Sequence, residues 1–230
     1  MLKATDLTVE FIDGTRAINE VCFSIGAGEN VALIGANGAG KTSLLLTLVG
    51  VLSSKTGEIH IGDIVMGKKN QREFRSRIGL VFQNPDDQLF MPNIFEDIAF
   101  GPRSFGCDEE ETTRRVNSAM SRLGIGSLAK RSPLKLSGGE KRLAAIATVL
   151  SMEPEFLLFD EPTAFLDPRA RRNLTDTLSD LPQGKLIATH DLEFAEGLCT
   201  RVLLLQDGKL VADGNKDILC DRQKLEAAGL

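Results

Sequence analysis

The chain has 230 residues, with 27 Lys and Arg against 32 Asp and Glu for a formal net charge of -5. Hydrophobic residues at 42% and charged ones at 26% fit a globular protein and exclude fibrous and disordered classes. The acidic balance argues against a general nucleic-acid binder, which gathers excess Lys and Arg on one face. In chain order, the first predicted elements are half-buried antiparallel strands: LTVEF alternates, and Val21, Phe23 and Ile25 alternate with Cys22 and Ser24. The N-terminal MLKATDLTVE lacks the basic start and apolar core of a signal peptide.

The pattern then changes. VALIG, IGLVF, FLLFD and KLIAT are short apolar runs expected as strands covered on both faces of a parallel sheet. KTSLLLTLVG is expected as a helix after the first of them. Residues 31–52 form the most apolar long window, but Asn37, Lys41 and several glycines interrupt it before the roughly 20 residues a membrane helix needs. From about Lys68 to Ser132 the pattern is mostly helical: Asp108 and Glu111 have capping-box spacing, and Val116, Met120 and Leu123 recur at helical intervals. A further helix follows GGE, with Leu143, Ile146, Ala147 and Leu150 on one face. Cys22, Cys107, Cys199 and Cys220 show no C-x-x-C spacing and are expected as reduced, buried thiols, not metal ligands. The expected architecture is α/β: a mostly parallel sheet, an N-terminal antiparallel β subdomain, and a helical subdomain inserted over about 68–150 of one domain spanning 1–230.

Chemistry concentrates where these elements end. GANGAGKTS fits G-x-x-x-x-G-K-[ST] between a buried strand and a helix. Gly35, Ala36, Asn37, Gly38, Ala39, Gly40, Lys41, Thr42 and Ser43 are therefore candidate phosphate-binding residues. The glycines let backbone N–H groups close on phosphates, Lys41 supplies a point charge, and Thr42 can ligate Mg²⁺. FLLFDEP delivers Asp160 and Glu161 to the same rim, Asp160 to hold Mg²⁺ through water and Glu161 to polarise an attacking water. LSGGE adds a second anion-receptive helix start, Ser137 with bare N–H groups at Gly138 and Gly139. A second such cap is redundant in one chain. It becomes useful if two chains pair head to tail, each cap closing on the γ-phosphate held by the other.

With these motifs in place, the sequence resembles the ATP-binding subunit of ABC transporters over nearly its whole length. Phosphate loop, glutamine loop at Gln83, signature Leu136 to Glu140, acidic pair Asp160 and Glu161, D-loop Ala164 to Asp167 and switch His190 follow in order. The resemblance implies a P-loop NTPase core of the ABC type that hydrolyses ATP with Mg²⁺, with Glu161, His190, Gln83 and Lys41 as catalytic residues. It implies that Thr42, Gln83 and Asp160 serve the metal, that His190 contacts the γ-phosphate, and that Ser137, Gly138, Gly139 and Glu140 contact the nucleotide of a partner. Glu140 replaces the commoner signature glutamine, adding charge near a polyphosphate. Phe11 falls where the family has an adenine-stacking aromatic, commonly tyrosine; a lone Phe after a strand is equally a core residue. His60 in EIHIGD reads as strand surface.

QNPDDQLF followed by EDIAFGP is similar to the ATPases of energy-coupling-factor importers. LSGGEKRLAAIATVLSMEP, THDLEFAEGLC and the closing LEAAGL look like the cobalt and nickel branch of that group, with a vitamin importer, for example for biotin, as the rival. The implied partners are a second ATPase subunit, in a homodimer, a transmembrane coupling subunit seated beside Gln83 on Asn84 to Met91, and a substrate-binding membrane subunit. The implied location is peripheral, on the cytoplasmic face of the cell membrane, with no membrane span in this chain and no nucleic acid bound. A soluble ABC ATPase serving ribosomes or DNA repair would carry two cassettes or a coiled-coil insertion. A small-molecule kinase would leave LSGGE and His190 unexplained.

Overall fold

Alternation in the N-terminal third builds one sheet, and the continuous apolar runs build another, in a computed structural model that describes all 230 residues. The strands are β1 (Leu2–Glu10), β2 (Arg16–Ile25), β3 (Asn30–Ile34), β4 (Thr56–Ile61) and β5 (Ile64–Val65), then β6 (Ile78–Val81), β7 (Phe156–Asp160), β8 (Gly184–Thr189), β9 (Arg201–Gln206) and β10 (Lys209–Asn215). The smaller sheet has the order β2-β1-β4-β5 and is antiparallel throughout. The larger has the order β10-β9-β3-β8-β7-β6, parallel from β9 to β6 with β10 antiparallel at one edge.

Side-chain alternation explains why the parallel strands read as unbroken apolar runs. Val31 and Leu33 of β3 enter the core shared with the smaller sheet, whereas Ala32 and Ile34 enter the core under the helices. β7 divides in the same way, Phe156 and Leu158 to one side, Leu157 and Phe159 to the other. In the smaller sheet the phase slips once. Leu2 and Ala4 are buried, then Leu7 and Val9, an odd shift that would turn the second pair outward were the strand regular. A register shift between Ala4 and Leu7, with Asp6 at φ 48°, returns both pairs to one face, and Glu20 at φ 54° makes the matching correction in β2.

The helices are α1 (Lys41–Leu48), α2 (Gln71–Arg77), α3 (Ile94–Ser104), α4 (Glu109–Arg122), α5 (Gly138–Leu150), α6 (Pro168–Ser179), α7 (Leu192–Leu198) and α8 (Arg222–Ala227). Within the expected helical stretch of about 68–150, β6 is an edge strand of the larger sheet, and the helices that pack on one another are α3, α4 and α5. α4 starts as its sequence suggests, with Asp108 accepting from the Glu111 N–H at 2.8 Å. Only half of a capping box forms, because the Glu111 carboxylate pairs with Arg114 and Arg115 instead. α5 buries more than one stripe: Ala144, Ala145 and Ala147 are small enough to bring it close to several neighbours, and Leu143 is only half-buried. No helix is long and apolar enough to cross a membrane.

The cysteines depart from expectation. Cys199 is buried, and burial pushes its thiol up to about 12. Cys22 and Cys220 are exposed and Cys107 is half-buried. Cys22 lies between buried Val21 and Phe23 on the opposite, outward face of β2, its sulfur accepting from the Asp6 N–H at 3.0 Å.

Candidate functional site

The phosphate loop runs from the end of β3 into α1, and its glycines are required by close approach. A side chain at Gly35 would collide with the Leu205 carbonyl oxygen, and one at Gly40, already at φ 106°, with that of Ala17. The loop is braced by the Asp207–Gly208 turn joining β9 to β10, where Gly208 N donates to Ala39 O at 3.0 Å. D-G is a hairpin signal in its own right, so this support could have been located from sequence.

Lys41 Nζ donates to Gly35 O at 2.6 Å and to Ala36 O at 3.2 Å, and lies 3.6 Å from the Glu161 carboxylate. Thr42 Oγ1 donates to Asp160 at 2.8 Å. Burial raises the Asp160 carboxyl above its ordinary value, opposed by the Thr42 hydrogen bond. Hydroxyl and carboxylate together form a hard oxygen pair that fits Mg²⁺.

Glu161 is the most constrained residue in the site. It is buried and holds φ at 42°, a left-handed value uncommon for a non-glycine residue, with its N–H bonded to Ala188 O at 2.8 Å. Its carboxylate accepts from the Thr189 hydroxyl at 3.1 Å and from the His190 N–H at 3.3 Å, and His190 Nδ1 lies 3.0 Å from it. Parallel pairing of Asp160 with Ala188 sets this arrangement, carrying the next residues of β7 and β8 out side by side. The His190 side chain is 61% exposed and overhangs the cleft, while Asp191 is anchored by Thr163 and Arg171.

These groups line one cleft of about 480 Å³. It gathers Ala36, Asn37, Gly38, Gly40, Lys41, Thr42, Ser43, Gln83, Asp160, Glu161 and His190. Phe11 joins them at 41% exposure, on a loop at the rim and outside the core, where an aromatic face is free to stack. Thr15, Arg16, Ala17 and Gly208 also line the cleft, and sequence reading missed them as it missed Thr189; the D-G turn at Gly208 apart, their roles arise only when distant segments meet.

Ser137, Gly139 and Glu140 lie outside this cleft. They line a second cavity of about 240 Å³ between α5 and α6, together with Leu166 and Asp167. Ser137 is the N-cap of α5, as its sequence suggests, and its hydroxyl is already engaged within the chain. Glu140 Oε2 accepts from Ser137 N at 2.8 Å and from its hydroxyl at 2.9 Å, while Ser137 Oγ accepts from Glu140 N, a complete capping box. Arg131 balances the carboxylate at 3.0 Å. The donated Ser137 hydrogen bonds, its N–H foremost, hold Glu140 below the usual carboxylate range.

One buried cation remains between the two regions. Arg142 on α5 is 1% exposed and donates to Phe82 O at 2.7 Å and Gln83 O at 2.6 Å. Burial pushes its guanidinium down to about 10.

Comparison with known proteins agrees with this geometry. Residues 18–164 match the ABC transporter family. An ABC transporter ATP-binding protein of Geobacter sulfurreducens is 45% identical over 231 residues, covering 100% of this chain and 93% of its own length. The energy-coupling factor transporter ATP-binding protein EcfA of Carboxydothermus hydrogenoformans is 43% identical over 232 residues, covering 100% of this chain and 86% of EcfA. Among solved structures, CbiO1 of Clostridium perfringens, part of the ABC transporter complex CbiONQ, superposes with a TM-score of 0.87 at 34% identity. That match covers 97% of this chain and 91% of CbiO1.

Proposed function

Because the chain belongs to the ABC transporter family, as an ATPase of the energy-coupling-factor type, we propose that it energises the import of cobalt or nickel ions. It does so as a peripheral homodimer on the cytoplasmic face of the cell membrane. The observation that carries the catalytic part is the meeting of Lys41, Thr42, Asp160 and Glu161 in one cleft while the signature residues stand outside it.

ATP lies with its phosphates on the Gly35 to Ser43 loop and its adenine against Phe11. Lys41 and the loop amides offset charge on the phosphoryl group as it transfers in line to water. Mg²⁺, when bound, adds positive charge there; Thr42, Asp160 and Gln83 would hold it. Glu161 accepts a proton from the attacking water, its carboxylate aimed by Thr189 and by the His190 backbone. His190 then contacts the γ-phosphate. Ser137 to Glu140 of a second copy complete each site, so two nucleotides hold the pair closed and hydrolysis releases it.

Glu140 tempers that closure, since its carboxylate already engages the Ser137 hydroxyl and adds negative charge near the incoming phosphate. Glu140→Gln keeps an acceptor for the cap and removes the charge. Half-saturating ATP for turnover is expected to fall about three- to fivefold in the variant. An unchanged ATP titration would remove the charge effect.

The coupling subunit docks on Asn84 to Met91. Within that segment Phe90, 63% exposed, packs edge to face on Phe100 with ring centroids 5.1 Å apart, an apolar foothold for a membrane subunit's helices. The solute assignment rests on the resemblance of LSGGEKRLAAIATVLSMEP and THDLEFAEGLC to the cobalt and nickel branch. The test is ATP-driven uptake by vesicles holding this ATPase with its coupling and substrate-binding subunits. Cobalt or nickel accumulation is expected; biotin accumulation without metal would reassign the solute. A purified chain that carries no membrane partner would point to a soluble factor.

A further inference from the structure

The glutamine loop is fastened to the signature helix by side chains along its length, and the chief fastener is Arg142. Its two terminal nitrogens take the successive carbonyls of Phe82 and Gln83, where the chain leaves β6, while its Nε, also buried, has no partner. Further along, Lys141 pairs with Asp86 at 2.6 Å. Gln88 Nε2 donates to Ala145 O at 2.8 Å and Thr148 Oγ1 at 2.7 Å, and its Oε1 accepts from Phe82 N at 3.1 Å. Residues 82–88 are thus tied to α5 by its second turn and beyond, whereas their covalent link to the core sheet is the single chain at Val81. Packing alone does not call for a guanidinium here, because an apolar side chain of similar size would avoid the desolvation of a buried charge. What Arg142 adds is a planar fork that fixes two adjacent peptide carbonyls in orientation.

We propose that Arg142 is a positioning residue for hydrolysis, clamping the Gln83 backbone to the signature helix so that Gln83 enters the cleft in step with Ser137 as it meets the partner's nucleotide. The proposal rests on the roles given above to Gln83 and Ser137. Helix and loop then move as one piece, and closure of the dimer sets Gln83 in the cleft beside Thr42 and Asp160. With the clamp cut, the phosphate loop still binds ATP and the dimer still closes, but Gln83 arrives out of place.

The experiment is a double-mutant cycle on the purified chain, with Arg142→Met, Gln83→Ala and both together, scored by kcat, half-saturating ATP and thermal midpoint. Arg142→Met is expected to lower kcat by about 10- to 100-fold with half-saturating ATP little changed. Arg142→Lys, which keeps one charge-assisted bond, is expected to recover part of the loss. In the Gln83→Ala background, Arg142→Met should cost less than about twofold, since the residue it positions is already gone. An equal kcat penalty in both backgrounds overturns the clamp and leaves Arg142 a structural residue. A Gln83→Ala variant with unaltered turnover overturns the role of Gln83 itself, and the clamp with it. Should the Met variant fail to fold, Arg142→Lys carries the same cycle, with equal penalties again the overturning result.

Discussion

Glu161→Gln is expected to leave ATP binding intact and to lower turnover by about 10²- to 10⁴-fold, the range of a lost general base. The geometry makes this substitution unusually clean. The amide has the shape of the carboxylate and its carbonyl oxygen can still accept from the Thr189 hydroxyl and the His190 N–H, so the strained backbone at φ 42° keeps its anchors. What vanishes is the capacity to take a proton. Lys41 loses an anionic neighbour at 3.6 Å, which frees its charge for phosphate and favours the nucleotide-bound form. ATP-dependent dimer should therefore accumulate in gel filtration while phosphate release stops. Phosphate release at the unsubstituted rate would remove Glu161 from this role and leave its burial among Thr189, His190 and Lys41 a structural matter.

Equally large effects are expected from Lys41→Ala and Ser137→Arg, each inactive alone, and the informative result comes from mixing them. In a head-to-tail pair one protomer supplies an intact phosphate loop and the other an intact signature. A mixed dimer therefore has one site carrying both lesions and one carrying none. Random mixing at equal amounts is expected to restore about a quarter of unsubstituted turnover, about half the dimers being mixed and each having one of its two sites sound. Sites complete within one chain predict no recovery at any ratio. Placement of Ser137 in a cavity separate from Lys41 favours recovery.

Legibility of the sequence followed the range of the interactions. VALIG, FLLFD and KLIAT announce β3, β7 and β8 because strands buried on both faces have no polar phase to confuse, and the phosphate loop lies within nine consecutive residues. Asp160 and Glu161 are legible as a pair, but not the φ of Glu161 or its hold by Thr189, which exist only because β7 and β8 pair in one register. Cys22 has apolar neighbours along the chain, but ordinary alternation with buried Val21 and Phe23 turns it outward. Ser137 is legible as a helix start, but not that Glu140, three residues on, takes both its N–H and its hydroxyl. Arg142 gives no signal at all, since a charged residue on a helix is normally solvated and its carbonyl partners lie 59 and 60 positions away.

The parallel ladder that seats Asp160 opposite Ala188 bears on motion as well as on chemistry. The proton acceptor follows the interior strand β7 and Lys41 opens the helix that follows β3, whereas residues 82–88, with Gln83 among them, leave the sheet from the edge strand β6. Repeated displacement of residues 82–88 would therefore withdraw Gln83 while Lys41, Asp160 and Glu161 keep the spacing that the ladder sets.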